Sequence, residues 1–282
     1  MDHHGTGAAL SNYARAIFDG CLRHAQRAWP QSCVLCGAAS AQPGRFGAPA
    51  ARGFCAPCRA SLPGLPAARC EVCALPLTSG QRCGPCLAHP PAYDAVSVPF
   101  AYAFPVDALI QAYKYGGDLA LAPVLAATLA PALDGVDALV PMPLSAARLR
   151  ERGFNQAHEL ARHLGCRFGL PVIADGVRRI SDTAPQAALP WKARARNVKG
   201  AFVCDADLRG RHVAIVDDVM TTGATLAELA GNLKSAGAAR VSGWVIARTL
   251  RDTSESENLL SAGKASTSQS EHLLCAGTAS LN

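Results

Sequence analysis

The stretch IVDDVMTTGAT, Ile215 to Thr225, decides how this chain is read. Two acids follow an apolar run without a break, and a hydroxyl-rich segment containing one glycine comes next. The run RHVAIV, Arg211 to Val216, has the continuous apolar character of a strand buried on both faces. GATLAELAGNLKSAG places Leu226, Leu229, Ala230 and Leu233 at helical spacing. Ile215 and Val216 are therefore expected to end a strand, and Thr225 to lie in the first turn of a helix. The loop Val219 to Ala224 then sits at a helix N-terminus, where free amides and the helix dipole favour an anion. Gly223 permits a φ that other residues resist, and Thr221, Thr222 and Thr225 add hydroxyl groups. Asp217 and Asp218 would be costly if both were buried and unpaired. Beside a phosphate they suit two neighbouring sugar hydroxyls, and a ribose 5-phosphate carries both parts. An acid pair alone would read as a strand-end cap with an exposed neighbour; the complete string favours the sugar phosphate.

Working outward, strands alternate with helices. AVSVPFAYAF (Ala95 to Phe104) reads as a strand or hairpin arm. In PVDALIQAYKYGGD, Val106, Leu109, Ile110 and Tyr113 suit one helix face, with Gly116 and Gly117 as its stop. LALAPVLAATLAPAL is a second helix and DALVPMPL (Asp137 to Leu144) a short buried strand. NQAHELARHLG turns Ala157, Leu160, Ala161 and Leu164 inward and is expected to close at Gly165. RVSGWVIART is a final strand. This order implies an α/β domain with a mostly parallel sheet flanked by helices, whose ligands bind at the carboxyl ends of strands.

A different pattern occupies the first third. Eight of the twelve cysteines form four C-x-x-C pairs: Cys33 and Cys36, Cys55 and Cys58, Cys70 and Cys73, Cys83 and Cys86. Two such turns close a tetrahedral zinc site with no open position, which is structural rather than catalytic. Short intervening segments favour joining the pairs sequentially, with a cross-braced arrangement as the alternative. Cys21, Cys166, Cys204 and Cys275 stand alone and read as small hydrophobes. MDHHGTGAAL lacks the basic and apolar blocks of a secretory leader, so a cytoplasmic setting is expected, in which thiols stay reduced. The 282 residues suffice for one catalytic domain and a small module. The formal charge of +6 overstates the basic character, because two tetrathiolate sites would remove about four units.

The central motif is similar to the phosphoribosyl pyrophosphate (PRPP) motif of type I phosphoribosyltransferases. RGFNQAHELA (Arg152 to Ala161), TAPQAALPWKARARNVKGAF (Thr183 to Phe202), YKYGGD (Tyr113 to Asp118) and the four cysteine pairs together resemble the ComF family. That family joins a double zinc ribbon to a phosphoribosyltransferase-like domain and is associated with bacterial competence for DNA uptake. The likeness runs over about Gln31 to Leu250. It implies the ribbon over 31–91 and the transferase-like domain over 92–250; helical spacing of apolar residues predicts a helix over 1–30, and a polar composition predicts a disordered tail over 251–282.

The resemblance also implies roles. Asp217 and Asp218 would hold the ribose hydroxyls; Thr221, Thr222, Gly223, Ala224 and Thr225 would hold the 5-phosphate. The loop from Pro143 to Arg148 corresponds to the pyrophosphate loop, and Thr183 to Arg196 to a mobile flap. Eleven basic against four acidic residues between Arg148 and Lys199 fit a polyanionic ligand, with Arg148, Arg152, Lys192, Arg194 and Arg196 as its candidates. Magnesium would accompany PRPP, and zinc would fill two structural sites. The function implied is a phosphoribosyltransferase of unknown acceptor acting in DNA uptake. The alternative is a non-catalytic adaptor for single-stranded DNA, working beside a helicase-like partner of the uptake machinery. With 6% aromatic residues, any DNA contact would rest mainly on backbone electrostatics.

The tail nearly repeats itself, ENLLSAGKAS (Glu257 to Ser266) returning as EHLLCAGTAS (Glu271 to Ser280). Two short copies cannot build a solenoid.

Overall fold

The computed structural model describes residues 32–39, 53–129, 135–181 and 198–250. The anticipated N-terminal helix, the tail and the flap residues Lys192, Arg194 and Arg196 lie outside the described residues. Two compact units divide the chain, Met1–Ser61 and Leu62–Asn282.

In the first unit a tight turn carries Cys33 and Cys36, closed by the Gly37 amide donating to the Cys33 carbonyl at 2.9 Å. Cys55 stands at the N-terminus of α1 (Ala56–Ala60), and proline in the first turn presets its φ.

The second unit is built on β1 (Ala95–Ser97), β2 (Phe100–Ala101), β3 (Ala138–Pro141), β6 (His212–Met220) and β7 (Arg240–Arg248). They form one sheet in the order β1–β7–β6–β3, with β2 also on β7, and every pair is parallel. A separate antiparallel pair joins β4 (Val177–Arg179) to β5 (Phe202–Cys204). The helices are α2 (Gly84–Ala88), α3 (Val106–Tyr115), α4 (Leu121–Thr128), α5 (Ala146–Arg152), α6 (Gln156–Phe168) and α7 (Ala224–Ser235).

Strand residues alternate between sheet faces, so Ile215 and Val216 must be covered from opposite sides. Val213 and Ile215 share a core with Leu226, Leu229 and Leu233 of α7. Trp244, in register with Val216, meets Phe168 of α6 edge-on with ring centroids 5.9 Å apart. The inward positions read from helical spacing are all buried, including Ile110, Tyr113, Leu160 and Leu164. Each such leucine contributes about 2 kcal/mol relative to exposure.

Several boundaries differ from expectation, β3 being shorter than Asp137 to Leu144, and three differences have a structural consequence. Ala95 to Phe104 is not a hairpin arm: it forms two short strands that both run parallel to β7, interrupted at Pro99, which has no N–H for the ladder. β6 does not end at Val216 but continues through both aspartates to Met220. α6 passes through Gly165 and stops at Gly169, which has φ 69°. Gly165 serves a close approach instead. A Cβ there would stand 2.7 Å from the Leu170 carbonyl oxygen and 3.0 Å from a Val172 methyl. Gly165→Ala is expected to lose about 1–3 kcal/mol in chemical denaturation, because the nearer obstacle is backbone and cannot swing aside.

The second cysteine cluster belongs to this unit's core. Cys70, Cys73, Cys83 and Cys86 cluster with Tyr93, Val98, Met220 and Val245. No helix among the described residues is long and apolar enough to cross a membrane.

Candidate functional site

The carboxyl ends of β3, β6 and β7 open into a cavity of about 440 Å³. Asp217, Asp218, Thr221, Gly223 and Thr225 line one side; Arg148 and Arg152 line it from α5. Seven of the residues expected to handle a ribose phosphate therefore meet in one crevice. Thr222 and Ala224 take a different part: the Thr222 hydroxyl accepts the Ala224 amide at 3.1 Å, shaping the start of α7.

The loop turns on Gly223, whose φ of 82° is in the left-handed region. A Cβ there would lie 2.5 Å from Met220 Cε and 2.9 Å from the Tyr93 hydroxyl oxygen, so space and backbone both require glycine.

The two acids are differently placed. Asp218 is 3% exposed, and its carboxylate lies 2.9 Å from Nζ of Lys114 in the last turn of α3. Burial works against the Lys114 charge, but the Asp218 carboxylate outweighs it and holds the ammonium above its ordinary pKa. Asp217 accepts the Asp218 amide at 2.9 Å. Burial, and then the neighbouring Asp218 charge, push the Asp217 carboxyl well above the usual carboxylate range, only partly offset by Lys114. The folded chain thus binds this proton more tightly than the unfolded one. Stability should fall as pH rises from about 4 through the elevated value. Asp217→Asn is expected to flatten that fall, measured as the wild-type minus variant difference in urea denaturation across the range.

The basic wall is partly unsatisfied. Arg152 stacks over Tyr115, its Cζ 5.1 Å from the ring centroid. Arg152 Nε and Gln156 Oε1 are buried without a hydrogen-bond partner among the described residues, and both residues line the cavity. Such orphaned groups are rare unless a ligand or water completes them.

Lys114, Tyr115 and Gln156 escaped the sequence reading. Lys114 had a usable signal, because it is four residues after Ile110 and so shares the buried face of α3.

The cysteines pair sequentially. Cys33, Cys36, Cys55 and Cys58 form one tetrad, and Cys70, Cys73, Cys83 and Cys86 the other, with ligand atoms within 4.8 Å of one another. All four residues of the second tetrad are buried. Burial opposes the Cys70 thiolate, yet backbone amides bring its thiol down to about 7, with the Cys83 amide donating to its sulfur at 3.4 Å. Four clustered sulfurs at this spacing fit a tetrahedral zinc ion.

The double zinc ribbon domain model matches residues 25–87, and the phosphoribosyl transferase domain model matches residues 149–271. The DNA utilization protein YhgH of Escherichia coli (strain K12) is 38% identical over 195 residues, covering 64% of this chain and 84% of that protein. Competence protein F of Haemophilus influenzae is 32% identical over 212 residues, covering 71% and 92%. The chain belongs to the ComF family. A further relative, competence protein ComFC of Bacillus subtilis (strain 168), is 35% identical over 115 residues, covering 39% and 44%. This ComF chain combines a type I phosphoribosyltransferase domain with cysteine tetrads of the zinc-ribbon kind.

Proposed function

We propose that the crevice binds a ribose 5-phosphate ester, with PRPP as the donor, and that the chain acts in the handling of DNA taken up by competent cells. The observation that carries the first part is the meeting of Asp217 and Asp218 with the Gly223 loop and Arg148 and Arg152 in one cavity. The second part draws on the names of the relatives, which speak of DNA utilization and competence.

In this reading the amides after Met220 and the hydroxyls of Thr221 and Thr225 receive the 5-phosphate. Asp217 and Asp218 accept the vicinal ribose hydroxyls, and Lys114 yields part of its hold on Asp218. Arg148 and Arg152 face the diphosphate. In transfer, the bond from C1 to the diphosphate oxygen breaks with its electron pair leaving on oxygen. A bond from C1 to the acceptor forms, and the acceptor releases a proton. The chain contributes position and charge to this step. Two carboxylates, one shared with Lys114, suit a magnesium ion that keeps most of its waters, and the ion bound with the diphosphate would supply charge neutralisation there. Lys192 and Arg194 are assigned the role of a flap that closes over the diphosphate and excludes water.

A second reading is an adaptor that binds single-stranded DNA without turnover, favoured by the same names. Incubating the zinc-loaded chain with magnesium PRPP and a panel of acceptors, and measuring released pyrophosphate, separates the two. Release that requires a particular acceptor supports the transferase. No release, together with salt-dependent DNA binding unchanged in Asp217→Asn, supports the adaptor.

A further inference from the structure

Arg248 closes β7 and is 1% exposed. Among the described residues no carboxylate pairs with it, although an isolated buried guanidinium is expensive. Its hydrogen bonds go to main-chain carbonyls in two distant places. Nε donates to the Cys73 carbonyl at 3.0 Å. One terminal nitrogen donates to the Met220 carbonyl at 3.1 Å and also to that of Thr221. One side chain thus joins a residue of the second tetrad to the two residues that open the phosphate loop.

Two physical consequences follow. A zinc ion held by four thiolates carries a formal charge of about −2, so the loaded tetrad supplies the counter-charge that Arg248 otherwise lacks. In a planar trans peptide the carbonyl and the next N–H point in opposite directions. Drawing the carbonyls of Met220 and Thr221 onto Arg248 therefore turns the N–H groups of Thr221 and Thr222 away from it. Tyr93 adds an independent brace. Its hydroxyl lies against Gly223, and its ring is buried in the same core as Cys70, Cys73, Cys83 and Cys86.

We propose that Arg248 is a positioning residue coupling the second cysteine tetrad to the phosphate loop, so that metal bound by Cys70, Cys73, Cys83 and Cys86 holds the loop amides in their anion-binding orientation. The second tetrad is then part of the ligand site's scaffold. The ligand half of this proposal rests on the ribose phosphate reading above; the coupling itself does not.

The test uses the full zinc-loaded chain and Arg248→Lys, which keeps the charge but cannot span both sets of carbonyls. Hydrogen exchange of the segment around 219–226 is compared with that of α6, alongside zinc content and ribose 5-phosphate affinity. The variant is expected to retain zinc and normal exchange in α6, while the loop exchanges about tenfold faster and ribose 5-phosphate binds about tenfold more weakly. Unchanged loop exchange in a zinc-replete variant would overturn the coupling. If the wild type binds no ribose 5-phosphate, the ligand reading fails while the exchange comparison still decides the coupling. Should Arg248→Lys not fold, the wild-type chain loaded with cadmium-113 decides instead. Ribose 5-phosphate should shift the cadmium resonance that couples to the Cys73 β-protons, and saturating binding without any shift would count against the proposal.

Discussion

Asp217→Asn combined with Asp218→Asn is expected to weaken ribose 5-phosphate binding by at least about a hundredfold in calorimetric titration. Hydrogen bonds to charged groups contribute about 1.5–3 kcal/mol each, and 1.4 kcal/mol is a factor of ten. The double variant replaces two carboxyl groups by amides that can present a donor to the sugar hydroxyls. The two positions are not equivalent. Asp218 is buried against Lys114, so its neutralisation takes the ion-pair partner from an ammonium with 17% side-chain exposure, costing about 3 kcal/mol of stability. Asp217 forms no ion pair among the described residues, and its elevated pKa means that neutralisation relieves repulsion within the pair. Asp217→Asn alone should therefore lose about tenfold in affinity with no loss of stability at neutral pH. Equal losses of stability in both single variants would show that the asymmetry drawn from Lys114 is wrong.

Removing two ligands of the second tetrad, Cys73→Ser with Cys83→Ser, is expected to prevent cooperative folding of the larger unit or to lower its Tm by tens of degrees. Structural zinc contributes about 10–16 kcal/mol in small zinc domains, as much as the whole stability of an ordinary domain. Here that contribution is not confined to a peripheral knuckle. The four cysteines sit in the same core as Val98, Met220 and Val245, so a loosened tetrad opens the face of the sheet that carries α7. The expected signature is loss of near-ultraviolet circular dichroism together with zinc, and recovery of neither on refolding in a chelator. A variant that melts cooperatively at the wild-type temperature would refute this account of the core.

Much of this was legible in the chain. Short-range pattern determined the inward faces of α3, α6 and α7, because helical spacing repeats over several turns and leaves Ile110, Leu160 and Leu229 no other place. The sequential pairing of cysteines followed from short connecting segments, and the acidic and threonine string located the crevice. The misses are long-range or depend on close contact. Nothing local tells that Gly165 is needed for the Leu170 carbonyl rather than as a helix stop. The Lys114 partnership with Asp218 and the bond from Arg248 to Cys73 span much of the chain. Arg248 did carry a hint, as a charge at the end of the apolar run WVIAR, where an unpaired guanidinium would be untenable. The acceptor of the proposed transfer left no comparable mark.

The most direct measurement is a crystal structure of the zinc-loaded chain soaked with ribose 5-phosphate. The expected result is a phosphate within hydrogen-bond distance of the Thr221 to Thr225 amides, with the ribose diol on Asp217 and Asp218. An empty crevice with Asp218 still closed on Lys114, or the ligand bound elsewhere, would contradict the account.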